Sequence, residues 1–323
     1  MFVISANIMN FKPVLMMTLA PIALFAYNRL WHLQQTVEAL QLNEFAGESD
    51  LYVFSDGAKL DQDDDAVAAV RNYLVAVRGF KSVVICKREK NIGLAHNIIS
   101  GVREICNLHD RVIVMEDDLV TSPFFLKYMN EALDLYETTA EVISIHGYIY
   151  PLKEEIPESF LLRGADCWGW ATWKRGWILF EPDALLLLTE LERQNLCKEF
   201  DFNGSFPYTK MLRDQIAGKN NSWAIRWYAS AFLQKKLTLY PGRSLVHNIG
   251  NDASGTHSMD SKQFDVLPVG RSISLVRLAP VENLSARHKV ERYFRQVQGA
   301  PHQSYLSKIL SIARTLCRRP FYN

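Results

Sequence analysis

The sequence contains no pair of cysteines spaced C-x-x-C, and its five cysteines, Cys86, Cys106, Cys167, Cys197 and Cys317, are odd in number. That argues against a disulfide framework or a zinc site and for reduced thiols in a reducing compartment. Neither sign of charge is in excess. With 36 Lys and Arg against 35 Asp and Glu, no global field is available to hold a nucleic acid, and nucleic acid is excluded as a partner. Near the N-terminus, Asn7, Asn10, Lys12 and Pro13 interrupt any apolar run of membrane-spanning length. A signal peptide would place positive charge first and small residues at its exit. Here the apolar stretch instead runs through Pro21–Ala26 into Tyr27-Asn28-Arg29, which reads as a first buried strand and its loop. The expected location is cytoplasmic. No internal repeat is visible.

What is present is a chain of 323 residues, 48% apolar and 22% charged, enough for one large α/β domain with appendages. Short apolar runs at Ile22–Ala26, Leu51–Phe54, Ser82–Cys86 and Val112–Met115 alternate with helical spacings. These are Leu30, Leu33, Val37 and Leu40, then Ala66 to Val77, then Leu94, Ile98, Val102 and Ile105. Strands apolar on both faces and separated by helices predict a mostly parallel, Rossmann-like sheet covered on both sides. Ligands of such sheets gather at the carboxyl ends of the strands. That rule selects Tyr27, Asn28 and Arg29, then Ser55 and Asp56, Asn91 and Gly93, and Glu116, Asp117 and Asp118. Beyond them, Ser122-Pro123 reads as an N-cap and first helical residue, with a helix over roughly Phe124 to Tyr136. A strand is expected at Glu141–Ile145, a helix at Ser222–Phe232 and a strand at Leu237–Tyr240. The expected division is an extension at 1–19, a nucleotide-binding half at 20–147, an acceptor-side half at 148–270 and a tail at 271–323.

Three carboxylates at the end of a buried strand repel one another unless a cation or hydrogen-bond donors compensate. All-oxygen ligands favour Mg²⁺ or Mn²⁺, with substrate phosphates completing the shell. An acidic patch favoured by the dipole of the following helix is the bland alternative.

The segment Val112-Ile-Val-Met-Glu-Asp-Asp-Leu-Val-Thr-Ser-Pro-Phe-Phe125 resembles the metal-binding segment of N-acetylglucosaminyltransferase I and its bacterial glycosyltransferase family 2-like relatives of the GT-A fold. The likeness extends to Pro21–Arg29, Phe54-Ser-Asp-Gly57, Gly164–Trp177 and the loop Ser244–His257, and so covers about residues 20 to 260. It implies a GT-A α/β fold with an acceptor-side subdomain. The implied activity is a metal-dependent, inverting transfer of a sugar from a nucleotide-sugar donor, a UDP-sugar first, to a glycan or lipid-linked acceptor. Carried over, Asp118 is the metal ligand, with His257 approaching the metal or diphosphate. Glu116 and Asp117 hold the ribose and donor sugar, Asp56 the nucleoside, and Arg29 the base or diphosphate. Tyr27, Asn91 and Gly93 shape the nucleotide site. Each has a plainer reading: Arg29 as a surface arginine, Asp56 as a turn former, His257 as a solvated side chain.

Where relatives carry the basic carboxylate before a tryptophan, this chain has Asn220 and Asn221, and an amide is no base. The remaining acids are Asp214, favoured because it lies just upstream, and Asp166. Asn221 and Arg226, with Trp168, Trp170 and Trp223, are expected on the acceptor or donor sugar, the tryptophans either stacking on sugar faces or filling a core. Residues 305–321 form a basic amphipathic pattern that either packs on its own domain or touches a membrane surface. Two alternatives compete with a transferase. A sugar-phosphate nucleotidyltransferase would want glycines in the loop after the first strand, where Ala26-Tyr-Asn-Arg-Leu30 has none. A nucleotide-sugar-binding pseudoenzyme would fit the Asn221 departure.

Overall fold

The structure is a computed structural model and describes residues 18–252 and 262–299. The N-terminal extension up to residue 17, His257 and the basic tail at 305–321 lie outside the described residues.

The four apolar runs expected as strands form β1 (Ile22–Ala26), β2 (Asp50–Ser55), β3 (Ser82–Lys87) and β4 (Arg111–Glu116), with α1 (Leu30–Gln41), α2 (Asp64–Ala76) and α3 (Leu94–His109) between them. A short strand β5 (Leu119–Thr121) follows the acidic cluster and precedes α4 (Phe125–Leu135). Then come β6 (Val142–His146), β7 (Ser159–Arg163), β8 (Trp170–Trp173), α5 (Lys174–Trp177), α6 (Ala184–Arg193), α7 (Cys197–Phe200), α8 (Tyr208–Ile216), α9 (Trp223–Leu233), β9 (Leu237–Pro241), β10 (Val246–Asn248) and α10 (Leu284–Gly299).

One eight-stranded sheet runs in the order β3-β2-β1-β4-β8-β6-β9-β7. The β1–β2, β2–β3, β1–β4 and β6–β9 pairs are parallel, whereas β8 runs antiparallel to both of its neighbours and β7 to β9. This is an α/β sheet flanked by helices, and it is continuous from β3 to β7. Alternation along β1 divides the core. Ile22 and Leu24 meet Leu33, Val37 and Leu40 of α1, while Ala23 and Phe25 meet Ile98, Val102 and Ile105 of α3. Each such aliphatic side chain taken fully from water contributes roughly 1.5–3 kcal/mol. A third core lies beyond β7, where Phe160 and Leu162 pack with α6, α8, α9 and α10.

The helix expected over roughly Phe124 to Tyr136 runs from Phe125 to Leu135, and before it Leu119–Thr121 forms part of a second, two-stranded sheet. There Leu119 pairs with Asn248 and Thr121 with Val246. Ser122 still organises the turn: its Oγ accepts from the Phe124 N–H at 3.2 Å and donates to the Val269 carbonyl at 2.6 Å. Among the described residues, no helix is long and apolar enough to cross a membrane.

Candidate active site

The parallel strands deliver their carboxyl ends to one edge, and the chain leaves each strand there with polar residues. After β1, Arg29 reaches across to β4. Its Nη2 donates to both Asp117 and Asp118, the latter at 2.8 Å. Its Nη1 is buried and has no partner. Burial works against the Arg29 charge, but Asp117 and Asp118 outweigh it and hold the guanidinium above its ordinary pKa. Thr36 of α1 fixes the turn from beneath, donating to the Asp117 carbonyl at 2.9 Å.

The acidic cluster is under strong electrostatic stress. Burial first, then the charges of Asp118 and Asp117, push the Glu116 carboxyl up to about 8, with Arg29 opposing. Asp117 is raised by burial, against the pull of Arg29. One guanidinium therefore faces three carboxylates. A cation with oxygen preference fits this donor set, and no cage of three or more ligating side chains is gathered in advance among the described residues. Mg²⁺ commonly binds through one or two carboxylates plus substrate phosphates, which requires no such cage.

The β5–β10 ribbon brings a second segment to this tip. The Ile249 N–H donates to the Asp118 carbonyl at 2.9 Å. Gly250 lies so close that a Cβ there would run into the Asp118 carboxylate. Asp252 follows, 3.0 Å from His32 of α1.

Asp56, after β2, serves the next loop. Its oxygens accept from the backbone N–H groups of Gly57, Ile92 and Gly93 at 2.9, 3.0 and 3.0 Å. Asn91 returns a bond to the Gly57 carbonyl at 2.8 Å. Gly93 takes φ +77°, a conformation that glycine adopts without penalty, and opens α3. Tyr27 donates to Asp63 at 2.8 Å and accepts from the Lys59 N–H at 3.0 Å.

Between β7 and β8, Asp166 lies at the wall of an aromatic cavity. Its carboxylate accepts from the Cys167 N–H at 2.8 Å and from the Tyr150 and Tyr240 hydroxyls at 3.3 and 3.4 Å. His146, wholly buried, is 3.6 Å away. The Cys167 thiol is raised by burial first, then by Asp166, with smaller effects from Glu116 and Asp118. It therefore lies within electrostatic reach of both the cavity and the acidic tip. Asp214 sits elsewhere, on α8, bound by Lys210 and, at 3.4 Å, by Lys219. Those lysines, Lys210 first, hold its carboxyl below the usual carboxylate range.

No family model matches the chain, and no curated protein matches it in sequence. Among solved structures it is similar to the mannosyltransferase PcManGT from Pyrobaculum calidifontis in complex with GDP-Man and Mn²⁺, with 11% identity and a TM-score of 0.32 over 41% of this chain and 35% of that one. It is also similar to S. aureus TarS, at 14% identity and a TM-score of 0.29, over 44% of this chain and 24% of that one. The TarS 1–349 structure gives 12% identity and 0.31, over 51% and 45%. The chain thus spans less than half the length of each of these three structures, and likenesses this partial assign it no activity.

The structure gathers Arg29, Glu116, Asp117 and Asp118 at one point and sets Asp56, Asn91 and Gly93 in the neighbouring loop. Of the three tryptophans, Trp168 lines the aromatic cavity. Trp170 and Trp223 stack on each other in the core, with ring centroids 5.5 Å apart. Arg226 is buried, donating to the carbonyls of Ser222 and Pro182 and to Asn221 Oδ1. Sequence reasoning missed Thr36, Gly250, Tyr150, Tyr240 and His146. Each acts on a partner at least 16 positions away, so no local motif marks it.

Proposed function

We propose that the chain is a glycosyltransferase that moves a hexosyl or N-acetylhexosaminyl group from a nucleoside diphosphate sugar to a hydroxyl of a glycan or lipid-linked acceptor. The family resemblance favours a uridine diphosphate donor and inversion at the anomeric carbon. One observation carries the reading: three carboxylates meet at the tip of β4 with a single guanidinium between them, on the edge where α/β sheets bind ligands.

Asp118, with Glu116 or Asp117, would hold Mn²⁺ or Mg²⁺. When bound, such an ion neutralises charge developing on a diphosphate leaving group. Arg29, freed from Asp118, can turn its unpartnered Nη1 to a phosphate oxygen. Asp56 keeps the 90–93 backbone in the shape that flanks the nucleotide. Asp166 is the better placed general base: it faces a cavity, whereas Asp214 is tied to two lysines on the surface. The acceptor oxygen bonds to the anomeric carbon as the bond to the diphosphate breaks, and the hydroxyl proton passes to Asp166.

The test is a thermal-shift screen of nucleotide sugars with and without Mn²⁺, since a ligand of the folded state raises the midpoint. A nucleotide-sugar shift that requires Mn²⁺ and is lost in Asp118→Ala supports the reading. A shift indifferent to both would sink it.

A further inference from the structure

The aromatic cavity encloses about 180 Å³ between the ends of β6, β7 and β9 and the helices α8, α9 and α10. Most of the side chains that line it are aromatic, and among the described residues Asp166 is the only charged one. Burial first, and then the Asp166 charge, hold the Tyr150 and Tyr240 hydroxyls well above their ordinary range, so both stay neutral. Burial lowers the pKa of His146, 3.6 Å from Asp166, against the pull of that carboxylate. Arg287 lies over the Phe202 ring at 4.5 Å, but it does not line the cavity, and Glu282 and Glu291 hold it at 3.0 and 3.2 Å. Glu116 and Asp118 act on Cys167 with the same sign as Asp166. The cavity is therefore negative, and no cation among the described residues that line it balances that charge.

The rings complement this charge. Tyr148 meets Tyr150 at 87° and Trp168 at 71°, with centroids 5.5 and 4.7 Å apart. Phe264 completes the circuit, 6.0 Å from Trp168 and 6.2 Å from Tyr150. All four line the cavity. Each ring carries a negative face, and a cation within about 6 Å of several centroids is attracted by each of them. Hydrogen bonds set the walls in advance: Tyr148 donates to the Phe264 carbonyl at 2.8 Å, and Tyr150 and Tyr240 donate to Asp166. Little ordering is left for binding to impose. A quaternary ammonium group suits such walls. It presents its charge through methyl groups and carries no N–H, so it needs no hydrogen-bond partner from them. A cavity of roughly 150 Å³ takes a group the size of benzene, and a trimethylammonium group is of that order.

We propose that the cavity binds a quaternary ammonium cation, with its methyl groups among Tyr148, Tyr150, Trp168 and Phe264 and with Asp166 as its counter-charge. The negative surroundings favour a ligand of net positive charge, such as choline, over one whose ammonium is joined to a phosphate. The proposal goes beyond the transferase reading and does not rest on it, since neither donor nor metal enters its test. In that reading Asp166 takes the acceptor proton, so the cation would compete with the acceptor and leave the donor site untouched.

The experiment is isothermal titration calorimetry with choline and with 3,3-dimethylbutan-1-ol, which has the same shape and no charge. Choline is expected to bind about tenfold tighter or more. Ethanolamine, which lacks the methyl groups, and phosphocholine, which adds negative charge, are each expected to bind more weakly than choline. Trp168→Leu should weaken choline several-fold. Asp166→Asn should narrow the ratio between choline and its neutral isostere, a change that a purely structural role would not produce. The melting transition of each variant shows whether it folds, and the comparison of the four probes is made on the unaltered chain. Equal binding of choline and the isostere, no binding of choline, tighter binding of ethanolamine or phosphocholine, or an unchanged ratio in folded Asp166→Asn would each overturn the proposal. Selective choline binding by a protein that shows no nucleotide-sugar thermal shift would leave the cavity assignment standing and remove the transferase reading.

Discussion

A single nitrogen of Arg29 joins two carboxylates, donating to Asp117 and, at 2.8 Å, to Asp118, and so ties the loop after β1 to the tip of β4. The guanidinium supplies the positive charge at this tip, yet three acids converge there.

Replacing Arg29 by Met removes that charge and leaves the carboxylates to repel one another. The pair is mostly buried, with side-chain exposures of 20% for Arg29 and 6% for Asp117. At pH 8 without metal, the loss is expected to be about 2 kcal/mol, below the range for a fully buried pair because some screening remains. Mn²⁺ should then raise the melting temperature more in Arg29→Met than in the wild type. Urea denaturation gives the first number and a Mn²⁺ titration of the melting temperature the second. A smaller Mn²⁺ effect in the variant would show that Arg29 helps to hold the cation instead of standing in for it.

The same cluster fixes a pH dependence. Glu116, ordinarily near 4.5, titrates at about 8 in the folded chain, and burial raises Asp117 as well. The folded state therefore binds more protons than the unfolded one between those values. Its stability relative to the unfolded chain falls as pH rises from about 4.5 through 8. A cation that binds the ionised carboxylates displaces those protons, so the Mn²⁺-induced rise in melting temperature should grow from pH 6 to pH 8.5. A rise independent of pH would mean that the cation binds elsewhere.

Much of this edge is visible in the sequence because its cause is local. Val112–Met115 is apolar on both faces and ends in acids, and such a run reads as a buried strand with a ligand-facing tip. The ribbon beside it is not visible. Leu119–Thr121 is too short to carry a period, and its partner Val246–Asn248 lies more than 120 residues away. Trp168, Trp170 and Trp223 could be read either as sugar-stacking or as core. Trp170 turned out buried because β8 inserts between β4 and β6, a pairing no local pattern encodes. The Ser-Asp-Gly turn at Asp56 is legible as a turn, whereas the bonds from Ile92 and Gly93 are products of the fold.

His146 yields a further pH effect, of opposite sign. It is fully buried, neither ring nitrogen has a hydrogen-bond partner, and burial lowers its pKa while Asp166 opposes. Unfolded, it titrates near 6.5. Below that value the unfolded chain takes up the proton more readily, so this contribution is constant above about pH 6.5 and is lost as pH falls. Between pH 7.5 and 5.5 the loss attributable to this group is about 1 kcal/mol. Subtracting the urea-derived stabilities of His146→Gln from those of the wild type at both pH values isolates it from the acidic cluster. A difference that does not change with pH would mean that His146 is charged in the folded state or exposed to solvent.

Gly57 tests the loop architecture. A Cβ at this position would stand 2.6 Å from the Lys90 carbonyl carbon and 2.8 Å from the Asn91 nitrogen, and both are backbone atoms that cannot rotate away. Gly57→Ala should therefore cost about 2 kcal/mol through displacement of the 90–93 segment. It should also weaken nucleotide-sugar binding, because Asp56 holds that same segment. Unchanged binding alongside the lost stability would separate the loop from the nucleotide.

Asn221 and Arg226 offer a direct test of the proposed general base. Arg226 is 7% exposed, and burial lowers its pKa. Among the described residues its hydrogen-bond partners are two carbonyls and the Asn221 side-chain oxygen, at 3.1–3.2 Å, and none of them is charged. A carboxylate in place of the amide keeps the size and the accepting oxygen while adding the missing opposite charge, so Asn221→Asp is expected to raise stability by about 1 kcal/mol in urea. By resemblance, the position is also where related enzymes carry their basic group. If Asp166 serves that role here, Asn221→Asp gains stability with little change in turnover, and Asp166→Asn abolishes transfer in either background. A large increase in turnover on Asn221→Asp that survives Asp166→Asn would move the base to the turn before α9 and remove Asp166 from the chemistry.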